Sequence, residues 1–540
     1  MSKLKRTYRR IGTMLDCSRN AVMKVETVKK WIDLCADLDF NMLMLYTEDT
    51  YEVKENPYFG YCRGRYSKKE LKEINDYAAK QGMELIPCIQ TLAHLNAITR
   101  WPAYRDHIDL NDILLAGDET VYELIENMFA TISQCFDSHY VNVGMDEAHM
   151  IGRGRYYDMN GDTDRSRILI DHVKRIAEIG KRYGLTLCMW SDMFFRLAAG
   201  DYYKGDAKIN EEIRRQIPDN VELIYWDYYS DDALHYDRMM KAHDKIKPGA
   251  WFAGGLWTWT GFAPHNAYTM KASRAALKAC ADNHVQDLFF TLWGDNGAEC
   301  SKFSVLPSLF YVSELAKGNW EKEDIKRKFQ EKYGISWDDF MLLDLTDSPN
   351  GKECGYIINS EKYLLYNDPF LGLMDSTLRG DEEEHFLSCA KKLAQVPKDR
   401  AFGYLFETQE ALCRVLALKA GIGQRTRKAY ERGDKEALTA VMDEYQVLEE
   451  RLSIFYEAFR RQWYLENKGH GFDVQDIRLG GLMQRVRHCR EMLLDYLAGR
   501  TDHIDELEEK LLDFDGNGGS FSNEPKFFNC WSENATANVL

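Results

Sequence analysis

From Arg10 to Trp293 the chain repeats one pattern, a short and almost wholly apolar run followed by a longer stretch with apolar residues every three or four positions. The runs are Arg10 to Cys17, Asn41 to Thr47, Met83 to Gln90, Tyr140 to Gly144, Leu185 to Trp190, Val221 to Trp226, Trp251 to Trp257 and Asp287 to Trp293. Runs this short, rich in β-formers and apolar on both faces, predict buried parallel strands. The stretches between them predict amphipathic helices. Val25, Val28, Ile32, Cys35 and Leu38 share one face, as do Val121, Leu124, Ile125, Met128 and Ile132, and again Leu169, Val173, Ile176 and Ala177. Eight strand–helix units predict an α/β fold, a closed (β/α)8 TIM barrel rather than an open sheet. No G-x-G-x-x-G turn follows the first strand, which removes the main reason to expect a dinucleotide fold.

Past residue 340 the strand-like runs stop. Long charged amphipathic stretches follow at Glu382 to Leu393, Phe406 to Ala420, Lys435 to Trp463 and Leu482 to Leu497. The expected organisation is a barrel over residues 1–340, an all-α C-terminal domain over 341–515 and an irregular Gly-, Asn- and Ser-rich tail over 516–540. Gly469-His470-Gly471-Phe472-Asp473 reads as a break between helices, with a substrate rim or subunit contact as alternatives.

Composition narrows the function classes. Across 540 residues, 45% are hydrophobic, 29% are charged and the net charge is −16, an acidic balance that argues against nucleic acid and acidic membrane surfaces as partners. The short basic cluster Lys3, Lys5, Arg6, Arg9 and Arg10 reads as the flank of a strand. Thirteen cysteines with no C-x-x-C pair argue against both a disulfide scaffold and a zinc ribbon. With neither a signal-type h-region nor an 18-residue apolar run, the expected location is cytoplasmic. No metal or other cofactor is expected. Asp513-x-Asp515-x-Asn517-Gly518 with Glu524 formally fits a calcium loop, but Ser520 and Pro525 favour a polar tail. Asn534-Ala535-Thr536 is a glycosylation sequon that a cytoplasmic protein would not use.

Barrel chemistry sits at the C-terminal ends of the strands. Strand 4 ends in Val143-Gly144-Met145-Asp146-Glu147, and mutual repulsion between the adjacent acids favours keeping one protonated, as a general acid requires. A helix N-terminal pair is the plainer alternative. Trp190, Trp226, Trp257 and Trp293 close four successive strands and suggest the walls of a pyranose pocket, against a simple barrel cap. No Asp or Glu lies between Gly249 and Asn266, where many retaining glycosidases of this fold carry a nucleophile.

Asn142-Val143-Gly144-Met145-Asp146-Glu147 resembles the H-x-G-G-D-E signature of glycoside hydrolase family 20, the β-N-acetylhexosaminidases, with Asn142 in place of His and Met145 in place of Gly. Met14-Leu15-Asp16-Cys17-Ser18-Arg19 resembles the family's first strand. His94 resembles its strand 3 histidine, Trp190 its strand 5 tryptophan, and Trp293-Gly294-Asp295 its final W-x-E. Ile11 stands where the family usually has a sugar-binding Arg, with Arg10 one residue out of register. The resemblance implies a divergent intracellular exo-β-N-acetylhexosaminidase that removes terminal non-reducing GlcNAc or GalNAc from oligosaccharides by substrate-assisted, retaining catalysis.

Under that resemblance Glu147 is the acid/base and Asp146 supports the acetamido group that attacks the anomeric carbon to form an oxazolinium ion. Tyr228, with Tyr229 second, donates to the acetamido oxygen. Trp190, Trp226, Trp257 and Trp293 enclose the sugar, and Asp295 accepts from its hydroxyls. His94 either orients the carboxylates or is a core histidine, and Asp16 either binds sugar or anchors its loop through Arg19. The alternatives are a two-carboxylate retaining β-glycosidase and a non-catalytic carbohydrate-binding barrel. Assembly is open, with a homodimer among the expectations.

Overall fold

The computed structural model describes residues 8–347, 359–514 and 531. The apolar runs form eight strands of a closed parallel barrel. They are β1 (Arg10–Asp16), β2 (Met42–Tyr46), β3 (Glu84–Cys88), β4 (Tyr140–Asn142), β5 (Thr186–Trp190), β6 (Val221–Trp226), β7 (Trp251–Gly255) and β8 (Asp287–Leu292). Their order around the barrel follows the chain, and β1 closes on β8 in register from Arg10–Asp287 to Leu15–Leu292. Every residue of β2, β7 and β8 is buried, which is why these strands read as continuous rather than alternating apolar runs.

The predicted faces at Val25–Asp37, Glu119–Cys135 and Arg165–Arg182 are helices whose apolar stripes are buried. Lys68–Lys80 begins on a capping box in which Ser67 and Glu70 satisfy each other's backbone N–H. The β3 loop also carries a small antiparallel hairpin, Ile108–Leu110 with Ile113–Leu114, too short to have a pattern of its own. Arg10 lies at the N-terminal end of the barrel, where it donates to Glu84 at 2.7 Å and Asp287 at 3.2 Å. The family's sugar-binding role cannot pass to it, because the site is built at the opposite ends of the strands.

Among the described residues the chain forms two compact units. One is drawn from Met1–Leu256, Thr269–Trp293 and Leu309–Glu321, and the other from Trp257–Tyr268, Gly294–Ser308 and Lys322–Leu540. The second unit is helical and contains the long helices Gly403–Glu431, Lys435–Glu466 and Phe472–Leu497. Gly469-His470-Gly471 falls in the loop before the last of these, with Gly471 at a left-handed φ of 90°. No strand follows β8 among the described residues, and no described helix is long and apolar enough to cross a membrane. Of the eleven described cysteines, all free, Cys62 is the exposed one. Lys3, Lys5, Arg6, the tail 516–540 apart from Trp531, the calcium-type pattern from Asp515 onward and Asn534 lie outside the described residues.

Candidate active site

The site begins in a backbone turn. Directly after β4, Gly144, Met145 and Glu147 take left-handed φ values of 73°, 70° and 53°. Such values are unfavourable for side-chain-bearing residues and persist only where surrounding bonds hold them. Asn142 Oδ1 accepts from the Gly144 N–H at 3.0 Å, Gln90 Oε1 from the Met145 N–H at 3.2 Å, and Asp192 Oδ2 from the Glu147 N–H at 3.0 Å. These three acceptors come from β4, the end of β3 and the end of β5, so the turn is held from both neighbouring strands. A Cβ on Gly144 would lie 1.9 Å from Gln90 Oε1, which leaves glycine as the residue that fits.

The turn sends its two carboxylates into different surroundings. Asp146 is 7% exposed, accepts from Gln90 Nε2 at 2.8 Å and pairs with His94 Nε2 at 3.2 Å. The Glu147 side chain is 40% exposed, with His94 Nε2 at 3.7 Å and Arg196 Nη2 at 3.6 Å from its two oxygens. Burial alone would raise the Asp146 carboxyl, but the His94 charge with the contacts from His94 and Gln90 outweighs it and holds Asp146 below the usual carboxylate range. Burial likewise disfavours charge on His94, yet Asp146 beside it raises the imidazole to about 9. Asp192 is pushed up to about 7 by burial and then by the Asp146 and Glu147 charges, although Arg196 Nε donates to it at 3.0 Å.

The His94 elevation fixes the sign of a pH effect. Folding raises the histidine above its unfolded value near 6.5, so the pair's contribution is complete below pH 6.5 and is lost as pH rises through about 9. That contribution is at most about 3 kcal/mol for a shift of this size. His94→Gln is expected to be less stable than the unaltered protein at pH 6, and this deficit should shrink toward pH 10. Thermal unfolding of both across that range checks it, and a deficit that does not vary with pH would remove the charged pair.

A second chain of contacts supports the same carboxylate from the β1 and β2 side. Gln90 Nε2 also donates to the Tyr46 hydroxyl at 3.0 Å, and that hydroxyl donates to Glu48 Oε1 at 3.0 Å. Arg19 pairs with Glu48 at 2.9 Å and Asp16 at 3.2 Å, and its guanidinium lies 4.8 Å from the ring centroids of both Tyr46 and Trp293. Asp16 accepts from the Ser18 N–H, the Ser18 hydroxyl and the Arg19 N–H, and its side chain is fully enclosed. Its observed contacts are therefore those of a loop anchor.

Trp190, Trp226, Tyr228 and Trp293 supply the aromatic side. Trp190 and Trp293 are 6.1 Å apart between ring centroids, Tyr46 meets Trp293 edge-on at 4.7 Å, and Trp226 stacks on Tyr228 at 5.4 Å. The buried indole N–H groups of Trp190 and Trp226 lack protein partners. The Tyr228 hydroxyl bonds to Trp293 and Thr291, and burial places its pKa well above the usual phenol value. Tyr229 is less buried, and its backbone N–H donates to Asp227. Trp257 and Asp295 belong to the second unit. There Trp257 stacks on Trp259 at 4.4 Å, and Asp295 opens a single 3-10 turn, Asp295–Gly297. Among the described residues no three His, Cys, Asp or Glu side chains converge to hold a metal ion.

Comparison with known proteins places the chain in a family. The model of the glycosyl hydrolase family 20 catalytic domain matches residues 7–235, and that of the glycoside hydrolase 20C C-terminal domain matches residues 338–524. The chain belongs to glycoside hydrolase family 20. Hexosaminidase D of Bos taurus is 24% identical over 282 residues, covering 50% of this chain and 75% of its own. Hexosaminidase D of Homo sapiens is 23% identical over 343 residues, covering 59% and 68%. A solved β-N-acetylhexosaminidase from Bacteroides fragilis NCTC 9343 is 20% identical with a TM-score of 0.47, covering 60% of this chain and 69% of that one. As a family 20 member the protein is a glycoside hydrolase of the β-N-acetylhexosaminidase type.

Five residues around the carboxylates carried no role in the sequence reading: Gln90, Glu48, Tyr46, Asp192 and Arg196. Glu48-Asp49 at the end of β2 repeats the acid pair that singled out Asp146-Glu147, and was the available signal for Glu48. Gln90 was a polar residue closing an apolar run, a weaker one.

Proposed function

We propose that the protein is an exo-acting β-N-acetylhexosaminidase that releases terminal non-reducing N-acetylhexosamine from short oligosaccharides, with the substrate's own acetamido oxygen as nucleophile. The observation that carries this reading is the division of labour within one dipeptide, with Asp146 buried, paired and ionised beside an accessible Glu147. Glu147 protonates the leaving oxygen and then takes a proton from the incoming water. Asp146 accepts from the acetamido N–H and stabilises the positive charge that develops as the oxazolinium ring closes. Tyr228 steadies the acetamido oxygen. Trp190, Trp226 and Trp293 restrain the ring and the methyl group, so that the internal nucleophile is held close to the anomeric carbon.

A two-carboxylate mechanism needs a second free carboxylate on another strand about 5 Å from the acid. The neighbouring acids of the first unit are committed: Glu48 binds Arg19 and Tyr46, and Asp192 binds Arg196 and the Glu147 N–H. Asp16 is the anchor of the first loop in this reading, and His94 a positioning residue for Asp146. The eleven described cysteines, all free, support a reducing, cytoplasmic setting in which small glycans are the substrates.

Matched aryl β-glycosides test the reading directly. The 2-acetamido substrate is expected to turn over while the 2-hydroxy and free 2-amino analogues stay at background. Comparable cleavage of the plain glucoside would leave assisted catalysis without support.

A further inference from the structure

Beyond the enclosed sugar site, three aromatic side chains gather on the rim of the first unit. Tyr58 is 46% exposed and Tyr61 48% exposed, both on the loop that leaves β2. Half-buried Trp101 comes from the loop that leaves β3. Ring centroids are 5.5 Å apart for Tyr58–Trp101 and Tyr61–Trp101, and 6.0 Å for Tyr58–Tyr61. Exposed Arg100 lies over Trp101 at 5.0 Å and donates to the Tyr61 carbonyl at 3.3 Å. Scattered surface aromatics need no explanation, but three in mutual contact at the catalytic end of a barrel do.

The platform is held in advance of any ligand. Arg65 donates to the carbonyls of Pro57 and Phe59, and Phe59 packs edge-on against buried Tyr51 at 5.2 Å. Arg63 donates to Asp49 at 3.1 Å and to the Ser18 carbonyl at 2.5 Å, tying the loop to the segment that carries Asp16 and Arg19. A Cβ on Gly60 would lie 2.2 Å from the Asp49 carbonyl oxygen, so the chain between the two tyrosines presses directly on the end of β2. The same two loops carry Glu48 and His94, so the platform and the carboxylate site are built on shared segments.

We propose that Tyr58, Tyr61 and Trp101 form a binding subsite for the hexopyranose on the leaving-group side of the scissile bond. This rests on the hexosaminidase reading above. Rigid aromatic faces pack against the apolar C–H face of a pyranose at little conformational cost, and the Arg100 guanidinium beside them can donate to ring hydroxyls. Such a subsite selects for a sugar, rather than a small group, next to the terminal N-acetylhexosamine.

Full-length protein and the single variants Tyr58→Ala and Trp101→Ala would be assayed on the β-1,4-linked GlcNAc disaccharide and on β-GlcNAc fluoride, which has no leaving-group sugar. The ratio of kcat/KM for disaccharide over fluoride is expected to fall about tenfold in each variant, mainly through KM. Trp101→Phe should recover most of it. An unchanged ratio, whether both substrates hold or both fall together, would overturn the subsite. If the unaltered protein released no fluoride, the hexosaminidase reading itself would fail. Calorimetric binding of the disaccharide would then still decide, equal affinity in unaltered and Tyr58→Ala protein counting against the platform and a clear loss in the variant for it.

Discussion

Glu147→Gln is expected to lower kcat/KM for an alkyl or oligosaccharide N-acetylhexosaminide by about 10²–10⁴-fold, the usual worth of a general acid/base. Glutamine matches the shape of the side chain it replaces, and the 40% exposure of Glu147 means no buried network collapses with it. The backbone contact that shapes the turn, from the Glu147 N–H to Asp192, is retained. The loss should depend on the leaving group. A sugar or alkyl oxygen departs poorly without a proton, whereas dinitrophenolate or fluoride departs readily, so bond cleavage in those substrates should suffer much less. Rates on a graded series of aryl glycosides measure this. An equal loss across the series would mean that Glu147 does not deliver the proton.

Asp146→Asn is expected to cost about 10²–10³-fold in kcat, the range seen when one preorganised electrostatic contact is removed. Here the reason is charge rather than shape. Asp146 is ionised against the tendency of burial because His94 and Gln90 both face it, and asparagine keeps the volume while removing the negative end. Binding of a thiazoline mimic of the oxazolinium ion should weaken in parallel, since that ligand carries the charge that the carboxylate stabilises in this reading. A readout independent of turnover follows from the same pair: without its anionic partner His94 should fall from about 9 back to or below the ordinary imidazole value, visible by NMR titration. Full activity in Asp146→Asn would remove the assisted mechanism.

The barrel was legible because its strands are buried on both faces, and burial on both faces leaves a composition signal that survives in a single sequence. The long helices were legible only in part. Phe406 to Ala420 reads as one amphipathic stretch, but the helix runs Gly403–Glu431, and its last turns bury the polar residues Thr426 and Arg427, which interrupt the apolar pattern that would have marked them. The acid pair at 146 and 147 was visible because two charges abutting an apolar run are locally anomalous. Its supporting residues were not, since Tyr46, Glu48, Gln90 and Asp192 come from three different strand ends and meet only once the barrel closes. The tryptophans show the same limit. Equal position at four strand ends was visible, but Trp257 groups with the helical unit while Trp190, Trp226 and Trp293 remain with the barrel.

The bend after β4 constrains future change unevenly. Positions 144 and 145 share nearly the same left-handed backbone, yet one holds the smallest residue and the other a methionine. At 145 a methionine side chain is accommodated and fully buried, so a change there, including one to the glycine of the family signature, is felt as a change in packing. At 144 the side-chain amide oxygen of Gln90 occupies the room that any side chain would need. Two neighbouring sites with matching geometry thus differ in evolvability, and the difference is set by a residue more than fifty positions away in the chain.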